Sequence, residues 1–130
     1  MKHSYGFTFI ELSVVLAILG ILGLIAIPQY STYRERMYSN AAISDLKNVA
    51  AAQEAFFVDN QSYKPITECA QIDSSVKCQI AGLPGVDQLS KGIALSVSTS
   101  PSGFVATARH YRASKTCTWD STKGGLVGCS

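Results

Sequence analysis

Gly6-Phe7-Thr8-Phe9-Ile10-Glu11-Leu12 opens an apolar run that continues to Ile27, and Glu11 is its one charged residue. The run is long enough to cross a bilayer as a helix, which takes roughly 20 apolar residues. A carboxylate inside hydrocarbon costs about 3 kcal/mol or more and is kept only where a partner offsets that cost. Leu would serve a plain anchor better at this position. Glu11 therefore reads as a recognition group, and the membrane as only one of its environments.

Gly-Phe-Thr-Phe-Ile-Glu-Leu, followed by the apolar run and Pro28, resembles the start of a type IV prepilin, most closely over residues 6–60. The resemblance implies that a prepilin peptidase removes a leader, residues 1–6, by cutting between Gly6 and Phe7 on the cytoplasmic side. Phe7 would then be N-methylated, with the apolar segment kept in the mature protein. It further implies a structural role in assembly for Phe7, Glu11 and Pro28. The subunit would wait in the inner membrane and then, through the assembly machinery and its separate ATPases, join a homopolymeric helical filament on the cell surface. In such a filament Glu11 can accept a charge-assisted hydrogen bond from the amino group of Phe7, its own or a neighbour's. A buried carboxylate without a cation is costly, so this pairing rewards the correct axial register. A pseudopilin of a type II secretion system or a minor pilin shares the same features and is the alternative. A single-span adhesin or ligand-binding module is the contrasting reading, and it leaves Glu11 unexplained.

A secretory signal peptide fits less well. The run exceeds the ~7–15 apolar residues of such a segment, and no clear A-x-A-like site follows. Charge does not settle orientation, because Lys2 on one side faces Arg34 and Arg36 on the other. Gly20, Gly23 and Pro28 weaken the helix locally. They read equally as close-packing positions with a harmless kink or as a segment that loosens on leaving lipid, and the resemblance favours the second.

Beyond Ile27 the pattern becomes amphipathic. Tyr30, Tyr33, Met37, Ala41, Leu46, Val49, Ala50, Phe56 and Phe57 recur at roughly helical spacing, with Arg34, Glu35, Arg36, Asp45, Lys47, Glu54 and Asp59 filling much of the remainder. Asp59 to Tyr63 reads as a helix stop, and residues 61–91 as a structured loop. Ile93, Leu95 and Val97 alternate with small polar residues as a strand does, and Ser100-Pro101-Ser102-Gly103 makes a turn. Further strands are expected at Phe104–Tyr111, Thr116–Asp120 and Leu126–Cys129. The expected fold is α+β: a long N-terminal helix packed against a small antiparallel β-sheet head. The expected division is a leader at 1–6, a transmembrane or filament-core segment at 7–27, and a head at 28–130. The head comprises an amphipathic helix (28–60), the loop (61–91) and a β region (92–130).

Composition narrows the chemistry. The chain has 130 residues and 47% hydrophobic content, much of it in the N-terminal run, leaving enough chain for one modest core. Cys69, Cys78, Cys117 and Cys129 all follow the anchor. An even count in an exported region suggests disulfides, with three connectivities available. Proximity in sequence favours Cys69–Cys78 and Cys117–Cys129. A four-thiolate metal site is the rival, but it usually shows C-x2-4-C pairs. Neither a metal nor another cofactor is expected. No nucleophile motif, phosphate loop or H-E-x-x-H is present, so an enzyme is not expected. His110 is the single histidine after the leader and reads as a surface or edge residue of a strand. From residue 61 onward seven basic residues face four acidic ones, Arg109, Arg112, Lys115 and Lys123 among them. That small surplus makes nucleic acid the lesser candidate for a partner. Tyr30 and Tyr33 read as a membrane-interface belt.

Overall fold

The computed structural model describes residues 6–71 and 76–130. Met1–Tyr5 of the expected leader, and residues 72–75 of the expected loop, lie outside the described residues. One helix, α1, runs Phe9–Asn60, followed by strands β1 (Ile93–Ser100), β2 (Gly103–His110), β3 (Cys117–Asp120) and β4 (Gly125–Cys129). A single 3-10 turn, Ser121–Lys123, joins the last two strands. The chain divides between Arg34 and Glu35 into two compact units.

In the first unit the helix has no cover. Ile10, Leu16, Leu24, Ile25 and Ile27 all point outward, Leu24 with 78% of its surface exposed. This is the one helix among the described residues that is long and apolar enough to cross a membrane. Pro28 lies inside α1 without ending it. Its missing N–H leaves one backbone bond of the helix unmade. The Pro28 carbonyl accepts hydrogen bonds from Ser31 Oγ at 2.9 Å and Thr32 Oγ1 at 3.3 Å.

In the second unit the helix gains its cover. Ala42, Leu46, Val49, Ala50 and Ala52 share one core with Ile66, Leu83, Ile93, Leu95, Val97, Phe104, Ala106 and Ala108. The alternation of β1 and β2 sends Ile93, Leu95, Val97, Phe104, Ala106 and Ala108 to that core. The sheet is antiparallel throughout in the order β1-β2-β3-β4. The outer edge of β1 is occupied: Ile66 and Val97 exchange both backbone bonds, and Leu95 N–H donates to the Cys69 carbonyl at 2.8 Å. β4 forms the other edge, with a register shift between Thr118 and Trp119 on its partner strand. Cys69 is bonded to Cys78, and Cys117 to Cys129 across the β3–β4 pair. Thr116 and Ser130 exchange backbone bonds at 3.0 Å, which ties the last residue down.

Several details depart from expectation. The helix begins at Phe9 instead of Phe7, because Thr8 caps it (below). It ends through Gln61, whose φ of +52° turns the chain while its N–H bonds the Phe57 carbonyl at 2.8 Å. Met37, assigned to the apolar face, is 53% exposed, whereas Asp45, assigned to the polar remainder, is buried. The Asp45 carboxylate accepts from Ser90 N–H and Ser90 Oγ, both at 2.8 Å, so it clasps the end of the loop to the helix. Gln53 is completely buried and does the same at the start of the loop. Its Nε2 donates to the Lys64 carbonyl at 2.6 Å and its Oε1 accepts from Lys64 N–H at 2.9 Å. Helical periodicity could not reveal either clasp.

Replacing Gln53 by Ala strands a buried donor and acceptor of Lys64, each costing about 1–3 kcal/mol when left unpaired. Gln53→Ala should therefore lower stability by about 2 kcal/mol or more, read from chemical unfolding of the full chain in detergent micelles. A loss below about 0.5 kcal/mol would show that the clasp is dispensable.

Candidate functional site

The start of α1 is built from a four-residue pattern. Thr8 Oγ1 accepts from the Glu11 N–H at 3.3 Å. Glu11 Oε2 in turn accepts from Thr8 N–H at 2.9 Å and from Thr8 Oγ1 at 2.7 Å. This reciprocal exchange is a capping box, Thr-x-x-Glu, which satisfies donors that the first helical turn leaves unpaired. A negative group here also complements the positive end of the helix dipole. Among the described residues no cation pairs with Glu11.

Gly6, Phe7 and Glu11 thus lie together at one end of the chain, all exposed, Phe7 at 84%. Pro28 lies about five helical turns further along and does not join them. The four cysteines lie in the second unit, held in two disulfides, so they offer no free thiol. Thr8 is the residue that sequence reasoning passed over. Its signal was present in the T-x-x-E spacing, which the lone charge of Glu11 overshadowed.

In the head, His110 is buried instead of lying at the surface. Its ring stacks on Tyr38 with centroids 4.3 Å apart, and Arg112 N–H donates to its Nδ1 at 3.1 Å. Burial first, then the charge of Arg112, lowers its pKa. The basic residues have separate occupations: Lys123 pairs with Asp120 at 3.4 Å, and Arg112 lies over the Tyr111 ring at 5.2 Å. Among the described residues no cluster of three or more His, Cys, Asp or Glu side chains is placed to hold a metal ion. A groove of about 530 Å³ runs between α1 and residues 84–89, lined by Ala51, Ala52, Ala55 and Val86 with Asp45 and Asp87.

Comparison with known proteins agrees with this geometry. Residues 1–27 match the prokaryotic N-terminal methylation motif. A fimbrial protein of Pseudomonas aeruginosa is 38% identical over 92 residues, covering 62% of this chain and 60% of that protein. The type IV major pilin protein PilA of Myxococcus xanthus is 43% identical over 61 residues, 47% of this chain and 28% of its own length. The type II secretion system core protein G of Pseudomonas aeruginosa is 40% identical over 62 residues, 48% of this chain and 44% of that protein. The chain spans about 60% of the length of the fimbrial proteins it resembles. The motif, these likenesses and the α+β architecture make the chain similar to type IV pilins, most of all over its N-terminal part. The relatives reported are named as pilins, fimbrial proteins and a secretion core protein.

Loss of an N-cap hydroxyl costs about 1 kcal/mol. In Thr8→Val the Glu11 amide should therefore exchange with solvent about fivefold faster in detergent micelles, while Thr8→Ser should restore its protection. Equal protection in both variants would rule out a capping role for the hydroxyl.

Proposed function

We propose that this chain is a structural subunit of a type IV pilus, polymerising through its N-terminal helix into a cell-surface filament. The observation that carries the reading is the uncovered apolar half of α1 with a single carboxylate at its start. Cleavage between Gly6 and Phe7 by a prepilin peptidase, followed by methylation of the new amino group at Phe7, prepares that end. Residues 7–27 hold the subunit in the inner membrane and later pack side by side in the filament core. Residues 28–130 form the head that the filament displays.

Moving this segment from lipid into a protein core gains little hydrophobic energy, because lipid tails are as apolar as Leu. What distinguishes one packing from another is close contact and the pairing of Glu11. Among the described residues of the unassembled chain, Glu11 exchanges bonds with Thr8. In the filament the amino group of Phe7, its own or a neighbour's, adds a charge-assisted bond that forms only in register. Pro28 and the two glycines of the segment lower the cost of loosening the helix as it leaves the membrane. The assembly machinery of the inner membrane and separate motors would drive the transfer.

The second reading is a pseudopilin, favoured by the similarity to the secretion core protein G. Neighbouring secretion genes would point to it, and neighbouring pilus genes to a pilin.

Intact-mass spectrometry of filaments sheared from cells tests the first reading. The expected species starts at Phe7, carries one methyl group and lacks the thiol hydrogens of both disulfides. Its presence only in the envelope would transfer the assignment to a pseudopilin or minor subunit, and an uncleaved Met1 form alone would end the filament reading. In parallel, Glu11→Leu should keep membrane insertion and abolish filaments. Normal filaments in that variant would remove Glu11 from assembly.

A further inference from the structure

Glu35 and Tyr38 stand three residues apart on α1, which puts them on one face of the helix. Both hold the same piece of chain, the end of β2 and the connection that follows it. Glu35 Oε1 accepts from Ser114 N–H and Ser114 Oγ at 2.9 Å and from Lys115 N–H at 3.3 Å. Tyr38 stacks on His110 almost in parallel, at an interplanar angle of 9°, and Tyr111 lies against the same imidazole with centroids 4.8 Å apart.

The Arg112 N–H bond assigns the tautomer of His110: Nδ1 carries the lone pair, and the proton of the neutral ring is on Nε2. A second proton has to go to Nδ1, where it meets the Arg112 donor and breaks that bond. Among the described residues the resulting cation meets two tyrosine rings but no carboxylate. The notch around the ring is lined, among the described residues, by Tyr38 from α1, Lys91 from the turn before β1, and Tyr111 and Arg112 from the connection. Gly92 admits the ring because it has no side chain: a Cβ there would come within 3.0 Å of His110 Nε2 and 2.7 Å of the Tyr111 ring.

We propose that the connection between β2 and β3, residues 111–116, is a strap that acid loosens in two stages, first at its bond to His110 at the end of β2 and only then at its bonds to Glu35 of α1. The sign follows from the environment of each group. His110 binds its proton less readily in the folded chain than in the unfolded one, because of burial and then the Arg112 charge. Its contribution is complete above about pH 6.5 and disappears as pH falls through the lower folded value. The Glu35 carboxyl is held below its ordinary range, chiefly by the Ser114 hydroxyl, so its grip outlasts that of His110 as pH falls further. Between the two transitions Glu35 still holds the strap to α1, beside the side-chain bond of Arg112 with Tyr38. This device belongs to the head and does not depend on whether the chain assembles.

Amide exchange of the full chain in detergent micelles, corrected for the intrinsic effect of pH, reads each contact separately. From about pH 8 to about pH 5 the Arg112 amide should lose about tenfold protection, in step with titration of the His110 ring signals, while the Ser114 amide keeps its own. In His110→Asn the side-chain oxygen can still accept from Arg112 and cannot take up a proton, so the loss should vanish. In Glu35→Gln the Ser114 amide should weaken at every pH with the Arg112 response unchanged. Constant protection of Arg112 in the native chain, or the same pH response in His110→Asn, would overturn the proposal. Release of Ser114 together with Arg112 would overturn the two-stage order.

Discussion

A single 52-residue helix must satisfy two solvents, and the rest of the molecule follows from that demand. Its first half is long and apolar enough to cross a membrane and, in the proposed filament, would pack among its own kind. Its second half offers one apolar stripe, which a small sheet and a loop suffice to cover. No more than a modest head is needed, because the chain leaves half its helix to be covered by something else. The economy has a limit: a head this small has few core residues, so clasps and cross-links carry a large share of its order.

Those clasps share a design. Gln53 holds the backbone of Lys64 where the loop begins, and Asp45 holds Ser90 where it ends. The Cys69–Cys78 bond closes a short segment between them. The two ends of the loop are thereby fixed by polar side chains of the helix, each paired on both of its atoms. At the other end of the chain the same helix begins with Thr8 and Glu11 exchanging bonds. Carboxylates and amides set into a helix thus do three different jobs here: capping the start, fastening the loop, and, at Glu35, fastening the connection after β2.

The elements of the fold were legible because each has one dominant period. Ile93, Leu95 and Val97, like Phe104, Ala106 and Ala108, alternate cleanly, and the strands stand within about a residue or two of where that alternation puts them. The run from Phe7 to Ile27 and the amphipathic pattern after it announce the helix. Asp45, Gln53 and His110 were not legible, and for one reason. Each is a polar side chain whose burial depends on a partner far away in sequence: Ser90, Lys64, and Tyr38 with Arg112. A period describes the face of an element, not the groups that will meet it. At the N-terminus Glu11 stood out as a lone charge, whereas its hydrogen-bond partner was written three residues earlier in a spacing that only local capping chemistry explains.

The two edges of the sheet differ in a way that would matter in the proposed filament, where many heads are crowded along one polymer. An open strand is a template for another strand, and crowding turns that template into a hazard of runaway cross-β stacking. Here the β1 edge is already occupied by Ile66 and Cys69. The remaining edge is only five residues long, its pairing is broken by the register shift, its glycines turn the backbone, and the Cys117–Cys129 bond ties it to β3. The head can therefore be packed at very high local density and still meet its neighbours through side chains instead of through continuous backbone ladders.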